Sequence, residues 1–401
     1  MISVEEASAR ILATFTPVGA ETVALAEAAG RISAAPVIAR TTQPPADVSA
    51  MDGFAVRAEE ARGGAALRLI GSAPAGHPFA GSVGAGETVR IFTGSFIPAG
   101  ADAVLLQEDA DAEEGGVRVR ETVRPGQHIR RQGQDFAAGE AVIAAGRRLS
   151  SRDIGLAAAA DHPWLLVHRR PRVAVLATGD EIALPGEPIP PGGIVSSNAH
   201  ALAAMVAALG GAPSVLPIAA DDTEAIGRAA DAARGFDLLL TTGGISVGAH
   251  DLVQEGLARR GLAVDFWKIA MRPGKPLMFG RLGEMPVLGL PGNPVAAFVC
   301  ALLFARPALL RLAGLAAAPL PTTTAETATA LGANDRRFDF LRARLEEDAA
   351  GRLVATAFAV QDSAMQAVLA RADALILRPP HAPAVAAGAA VEIVRFDRLG
   401  L

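Results

Sequence analysis

The chain has 401 residues, 51% hydrophobic and 20% charged, with a net charge of −5. At about 100–200 residues per domain it has room for two to four domains and several cores. A single cysteine, Cys300, excludes a disulfide framework and a multi-cysteine zinc or iron–sulfur site, and the mild acidity argues against a nucleic-acid partner, which calls for a basic stripe. The start Met-Ile-Ser-Val-Glu-Glu lacks the features of a signal peptide. The longest strongly apolar uncharged run, 295–305, falls short of the about 20 residues that cross a bilayer. A cytoplasmic protein without membrane contact is therefore expected.

In chain order, residues 4–15 present Ala7, Ile11, Leu12 and Phe15 on one helical face. Residues 42–50, rich in Pro, Thr and Ser, predict a loop. Short apolar runs at 67–70, 88–92, 103–107, 117–123 and 141–144, punctuated by Gly and Pro, predict a small all-β unit. A helix follows over 151–160, capped by Ser150 or Ser151, and then a strand at 164–167. From 172 the pattern changes. Apolar strands at 173–177, 214–218, 236–240, 264–267 and 285–290 alternate with helices at 198–209, 222–234, 252–259 and 294–313. That alternation predicts a parallel α/β sheet covered on both faces. A Pro- and Thr-rich linker follows Gly314, and β patterning returns at 338–345, 353–358, 374–377 and 391–394.

In open parallel sheets ligands bind beyond the carboxyl ends of the strands. Here one strand ends in Thr178-Gly179-Asp180-Glu181, a second in Thr241-Thr242-Gly243-Gly244-Ile245-Ser246-Val247-Gly248, and a third in Pro291-Gly292-Asn293-Pro294. Glycine permits close backbone approach, and free N–H groups at a helix start attract anions. Any one loop is an ordinary strand–helix turn; three together indicate an anion pocket. Of the 37 basic Lys and Arg residues only Lys268 and Lys275 are lysines, and they flank Arg272-Pro273-Gly274. A compact ammonium and a planar guanidinium are not interchangeable at a tight anion site. Candidate carboxylates are Asp52, Asp135, Asp180, Glu181 and Asp251, which suit Mg²⁺ beside phosphates. Of Asp221 and Asp222, one is expected to be the N-cap of the following helix, and that structural role is favoured for the pair. Cys300, inside an apolar helix, is expected in the core. The segment Gly244–Gly248 also fits the Gly-x-Ser-x-Gly elbow of hydrolases, but only His250 and His381 follow Ser246, and neither suits a triad.

The ordered set Ser49-Ala50-Met51-Asp52-Gly53-Phe54-Ala55, Arg90-Ile91-Phe92-Thr93-Gly94, Gly133-Gln134-Asp135, Thr178-Gly179-Asp180-Glu181, Gly243-Gly244-Ile245-Ser246-Val247-Gly248, Pro273-Gly274-Lys275-Pro276 and Leu290-Pro291-Gly292-Asn293-Pro294-Val295 resembles the molybdopterin molybdenumtransferases, relatives of the gephyrin E domain. The resemblance implies a multidomain α/β plus β fold. Domain I comprises 1–40 and 141–170, domain II is a β insertion over 41–140, domain III a doubly wound α/β unit over 171–316, and domain IV a C-terminal β-barrel over 317–401. It implies insertion of molybdate into adenylylated molybdopterin with release of AMP. It further implies Mg²⁺, a homodimer whose sites lie between domain III of one subunit and domain II of the other, and transient contact with the adenylyltransferase.

By resemblance, the phosphates and pterin fall to Thr178, Gly179, Gly243, Gly244, Ser246, Gly248, Pro291, Gly292, Asn293 and Pro294. The ion falls to Asp180, Glu181 and Asp251, with Asp52 and Asp135 acting beside them. Molybdate falls to Lys275 with Lys268 and Arg272, completed by Arg342 and Ser363. The chain departs from the family's pattern at Phe54 for tyrosine, at Ala296 for serine, and at Gln361-Asp362-Ser363 for a glycine-bearing segment. A serine hydrolase, a non-catalytic scaffold and a tungstate-inserting paralogue are the competing readings.

Overall fold

A computed structural model describes residues 1–244, 252–316 and 319–400. The chain forms two compact units, one of Met1–Glu21, Gly30–Ala34 and Leu166–Leu401 and one of Thr22–Ala29 and Ala35–Leu165.

The first unit is built on a six-stranded sheet in the order Ala212–Val215, Arg172–Ala177, Leu238–Thr242, Met285–Leu290, Met278–Leu282, Leu262–Trp267. Successive side chains of a strand point to opposite faces, and both faces here are covered. Val173 and Val175 join the core beneath helices Val4–Thr14, Asn198–Ala208 and Pro294–Cys300. Ala174 and Leu176 join the opposite core beneath Thr223–Ala232 and Leu252–Ala258. Burial on both faces is why these strands are uninterruptedly apolar.

The expectation of an all-parallel sheet is corrected at one edge. The first four strands are parallel, but Met278–Leu282 runs antiparallel to Met285–Leu290, and Leu262–Trp267 pairs antiparallel with Met278–Leu282. Only Gly283 and Glu284 separate the paired Leu282 and Met285, with Gly283 at φ +62°. So short a connection can only make a hairpin, because a parallel return needs a crossover of a dozen or more residues.

The long apolar helix runs from Pro294 to Leu312 through a π-helical turn at Ala301–Ala305. It is long and apolar enough to cross a membrane by composition, yet 72% of it is buried inside the protein, as a core helix would be. Cys300 lies within it, fully buried as expected, and burial pushes its thiol up.

The C-terminal strands Thr323–Thr327, Phe338–Glu347, Leu353–Ala357, Ala374–Arg378 and Ala390–Arg395 close on themselves, since the second and fourth also pair. Closure leaves no open sheet edge. Strand Met271–Arg272 joins this barrel alongside Phe338 and Asp339, tying it to the α/β part of the same unit. The first barrel strand arises from the Thr run expected to be linker.

The second unit holds an open six-stranded sheet in the order Ala103–Leu106, Gly53–Val56, Glu87–Ile91, Ala66–Ala73, Gly116–Val119, Ala110–Glu113. Gly53 has to be glycine, because a Cβ there would stand 2.0 Å from the Leu105 carbonyl oxygen of the neighbouring strand. Helix Ser151–Ala159 is capped by Ser150, whose hydroxyl accepts from Asp153 N while Asp153 Oδ2 accepts from Ser150 N at 2.7 Å.

Candidate functional site

Parallel pairing brings the ends of three strands level, with Ala177 opposite Thr242 and Thr242 opposite Leu290. The loops beyond them touch. Thr242 Oγ1 donates to Pro291 O at 3.2 Å. Asn198, at the start of its helix, donates one Nδ2 proton to Thr242 Oγ1 at 2.9 Å and the other to Gly292 O at 2.7 Å. Two acceptors thus fix the orientation of that amide.

Gly243 and Gly244 both take positive φ, +92° and +63°. A Cβ on Gly243 would lie 2.4 Å from Thr178 O, and one on Gly244 2.7 Å from Thr178 Oγ1. Among the described residues, the hydroxyls of Thr178 and Thr241, at the strand tips, are buried without a hydrogen-bond partner, whereas buried polar groups are normally satisfied. Replacing Gly243 with alanine is expected to cost about 2–4 kcal/mol from strain and the backbone clash. Gly235→Ala, at φ +86° in open space, should cost only the strain, about 1–2 kcal/mol. Urea midpoints of the two variants check the difference.

The first loop carries an acidic corner. Asp180 Oδ1 accepts from Asp221 N at 3.0 Å. Burial, together with repulsion from Asp180 and Glu181, raises the Asp221 carboxyl above the usual carboxylate range, against a hydrogen bond from the Asp180 backbone. The sequence leads to one of Asp221 and Asp222 capping the helix, and Asp222 does so, accepting from Ala225 N at 2.7 Å, which leaves its neighbour to the corner. The hard carboxylate oxygens suit Mg²⁺, although among the described residues no three acidic, His or Cys side chains converge at metal-ligating spacing.

At the third loop, Asn293 precedes the long helix but does not cap it. Its Nδ2 donates to Ser363 Oγ at 2.8 Å, and Val295 N donates to Ser363 O at 3.0 Å. A barrel loop is thereby docked on the helix start, and Asn293, Pro294 and Ser363 come together. Arg342, in the barrel, is 1% exposed. Its Nε donates to Gln361 Oε1 at 3.2 Å and its Nη1 to Asp362 O at 2.9 Å. Burial lowers its pKa from the ordinary value. No carboxylate forms an ion pair with it among the described residues. Sequence reasoning named Arg342 and Ser363 but missed Gln361.

The two lysines are placed differently. Lys275 is exposed, on a loop held where Ile269 N donates to Lys275 O at 3.0 Å and where Gly274 packs on Cys300. Lys268 takes φ +83°, and its Nζ lies 4.0 Å from the Trp267 ring centroid. Arg272 is engaged by Asp339, with Asp335 at 3.8 Å, so its charge is already balanced. A large cavity of about 770 Å³ lies at the opposite end of the sheet, by Phe236, Asp237 and Met285. Its arginines are paired, Arg169 to Asp237 and Arg281 to Glu284, and it touches none of the strand-tip loops.

In the second unit, Asp52 Oδ1 accepts from both Thr93 N and Thr93 Oγ1 at 2.8 Å. Those hydrogen bonds, more than nearby Arg90, hold its carboxyl below the usual range. Arg90 stacks on Phe54 at 4.9 Å and on Phe92 at 5.2 Å. Asp135 sits on a loop whose N–H donates to Gln43 O at 3.0 Å. Strand Ile129–Arg130 pairs antiparallel with Val48–Ser49, so the segments bearing Asp52 and Asp135 leave that pair in opposite directions. Ser246, Gly248 and Asp251 lie outside the described residues, as does His250. His381 sits on a barrel turn at φ +60°.

Three family models match the chain: the MoeA N-terminal region (domain I and II) over residues 2–160, a probable molybdopterin binding domain over 174–311, and the MoeA C-terminal region (domain IV) over 324–396. A molybdopterin molybdenumtransferase 2 of Mycobacterium tuberculosis is 36% identical over 383 residues, 93% of this chain and 94% of its own. A molybdopterin molybdenumtransferase of Haemophilus influenzae is 33% identical over 407 residues, covering both chains fully. A solved structure of a molybdopterin biosynthesis MoeA protein from Pyrococcus horikoshii matches with a TM-score of 0.87 at 29% identity, over 99% of each chain.

Proposed function

Because the chain belongs to the molybdopterin molybdenumtransferase family, transferases of molybdenum cofactor biosynthesis, we propose that it inserts molybdate into adenylylated molybdopterin and releases AMP. The observation that carries this reading is Arg342. Its guanidinium is buried and forms no ion pair among the described residues, with the Asp362 charge acting on it only through space, and the loop it holds docks on Asn293. Burying an unpaired charge is expensive, and an anionic guest offsets that cost.

The glycine loops bring backbone amides to the phosphates, and Thr178, Thr241 and Asn198 orient polar groups of the pterin nucleotide. Asp180 and Glu181, with Asp251, would hold Mg²⁺. Such an ion, when bound, neutralises phosphate charge as AMP leaves. Lys275 supplies a mobile ammonium to the oxyanion. Asp52 and Asp135 act from the partner subunit of a homodimer. The adenylylated substrate arrives by transient contact with an adenylyltransferase, in the cytoplasm.

The test incubates the purified protein with adenylylated molybdopterin, Mg²⁺ and molybdate. Molybdate-dependent AMP release, lost in Lys275→Ala or Asp251→Ala while far-UV circular dichroism is retained, is the expected result. No AMP release with molybdate or tungstate overturns the reading.

A further inference from the structure

Gln361 uses its whole amide on one neighbour and one turn. Its Oε1 accepts from Arg342 N at 3.0 Å and from Arg342 Nε at 3.2 Å. Its Nε2 donates to Arg342 O at 3.0 Å and to Phe358 O at 2.9 Å. Two donors face the oxygen and two carbonyls face the nitrogen, so only one orientation of the amide satisfies all four.

This arrangement is a choice of charge as well as of shape. A guanidinium is ordinarily held by a carboxylate, whose opposite charge adds to the hydrogen bonds. Glutamate has the same length as glutamine and would reach the same atom. It would also cancel the guanidinium charge. The amide fixes Arg342 without cancelling it. Asp362 turns its carboxylate to cap Ala364 N at 2.8 Å, hydrogen-bonds Arg342 through its carbonyl, and acts on the guanidinium with its charge only through space. The next residue, Ser363, is the one that meets Asn293.

We propose that Gln361 is a positioning residue that clamps buried Arg342 with a neutral amide, reserving the guanidinium charge for a doubly charged oxyanion beside Ser363 and Asn293. The proposal rests on the transferase reading above and adds what sets affinity at the oxyanion subsite. Gln361 touches no substrate; it acts through Arg342.

Two variants separate charge from scaffolding. Gln361→Glu adds an ion pair to Arg342 but turns a carboxylate oxygen toward the two carbonyls that Nε2 served, so far-UV circular dichroism checks that the fold persists. Gln361→Met removes all four hydrogen bonds and adds no charge. The readouts are KM for molybdate and kcat at saturating molybdate in AMP release, inhibition by sulfate, and Tm. In Gln361→Glu, KM for molybdate and the inhibition constant for sulfate are expected to rise about tenfold or more, since a unit charge has been cancelled in a poorly solvated site. There kcat stays within about threefold, and Tm falls less than in Gln361→Met because the ion pair offsets part of the loss. In Gln361→Met, Tm falls further than in the glutamate variant while KM rises less. A purely structural role would make KM and Tm change in the same order. That result, or a molybdate KM within about twofold of wild type in Gln361→Glu, overturns the proposal while leaving the transferase reading intact. Absence of molybdate-dependent AMP release in the wild-type protein removes both.

Discussion

Replacing Arg342 with methionine is expected to cut kcat/KM for molybdate in AMP release by about 10²–10³-fold, the loss that follows removal of a preorganised electrostatic donor. Stability should change little, and the sign follows from burial. Arg342 is 1% exposed, and desolvating its charge works against folding. An apolar side chain of similar volume at a buried ionic position is often neutral or stabilising. Methionine is unbranched and adaptable enough to fill the guanidinium's path. Against that, Gln361 Oε1 loses its contact with Arg342 Nε but keeps the one from Arg342 N, which is backbone and survives the substitution. Asp362 O loses its donor. The net effect is about 1 kcal/mol in either direction, so urea denaturation should place the variant close to wild type. Arg342→Lys retains charge without the planar fork and should fall between the two in activity. Full activity in the methionine variant would reduce Arg342 to a structural part of the barrel loop.

The sheet of the first unit was readable because its strands are apolar on both faces. Val173 to Ala177 alternate between two cores, and no polar residue interrupts the run. The elements that escaped are those whose reason lies in another strand. Gly53–Val56 is short and begins with a glycine, and only the approach of the Leu105 backbone explains that glycine. Met278–Leu282 contains Gly280 and Arg281, which weaken an apolar pattern, and its place is set by the hairpin at Gly283. The Thr run at the start of the barrel looks like linker until pairing with Ala390–Arg395 supplies its partner.

The site divides in the same way. Glycines at strand tips announce themselves, because a special backbone conformation leaves a mark on residue type. Positioning residues do not. Asn198 and Gln361 are ordinary amides in sequence, and their roles appear only when both ends of each hydrogen bond are in place. Arg272 shows the converse. Its position between two rare lysines suggested an anion contact, whereas Asp339 from the barrel claims it.

A purified heterodimer carrying Asp52→Ala in one subunit and Lys275→Ala in the other is expected to recover about half the AMP release of wild type, although each homodimeric variant is nearly inactive. The argument is one of symmetry. If each site takes its glycine loops and lysine from one subunit and its Asp52 from the other, the heterodimer has one site with both substitutions and one with neither. Asp52 suits such a role. Its carboxylate is exposed and held in place by two hydrogen bonds from Thr93, which also keep its carboxyl below the ordinary value. Because it supports no core, Asp52→Ala should fold normally, and loss of activity in that variant reports on the site rather than on stability. Differently tagged subunits, co-expressed and isolated by both tags in sequence, supply the heterodimer. Recovery of about half the wild-type rate supports a shared site. No recovery, with both single variants folded and dimeric, would mean that Asp52 and Lys275 serve the same site from one chain.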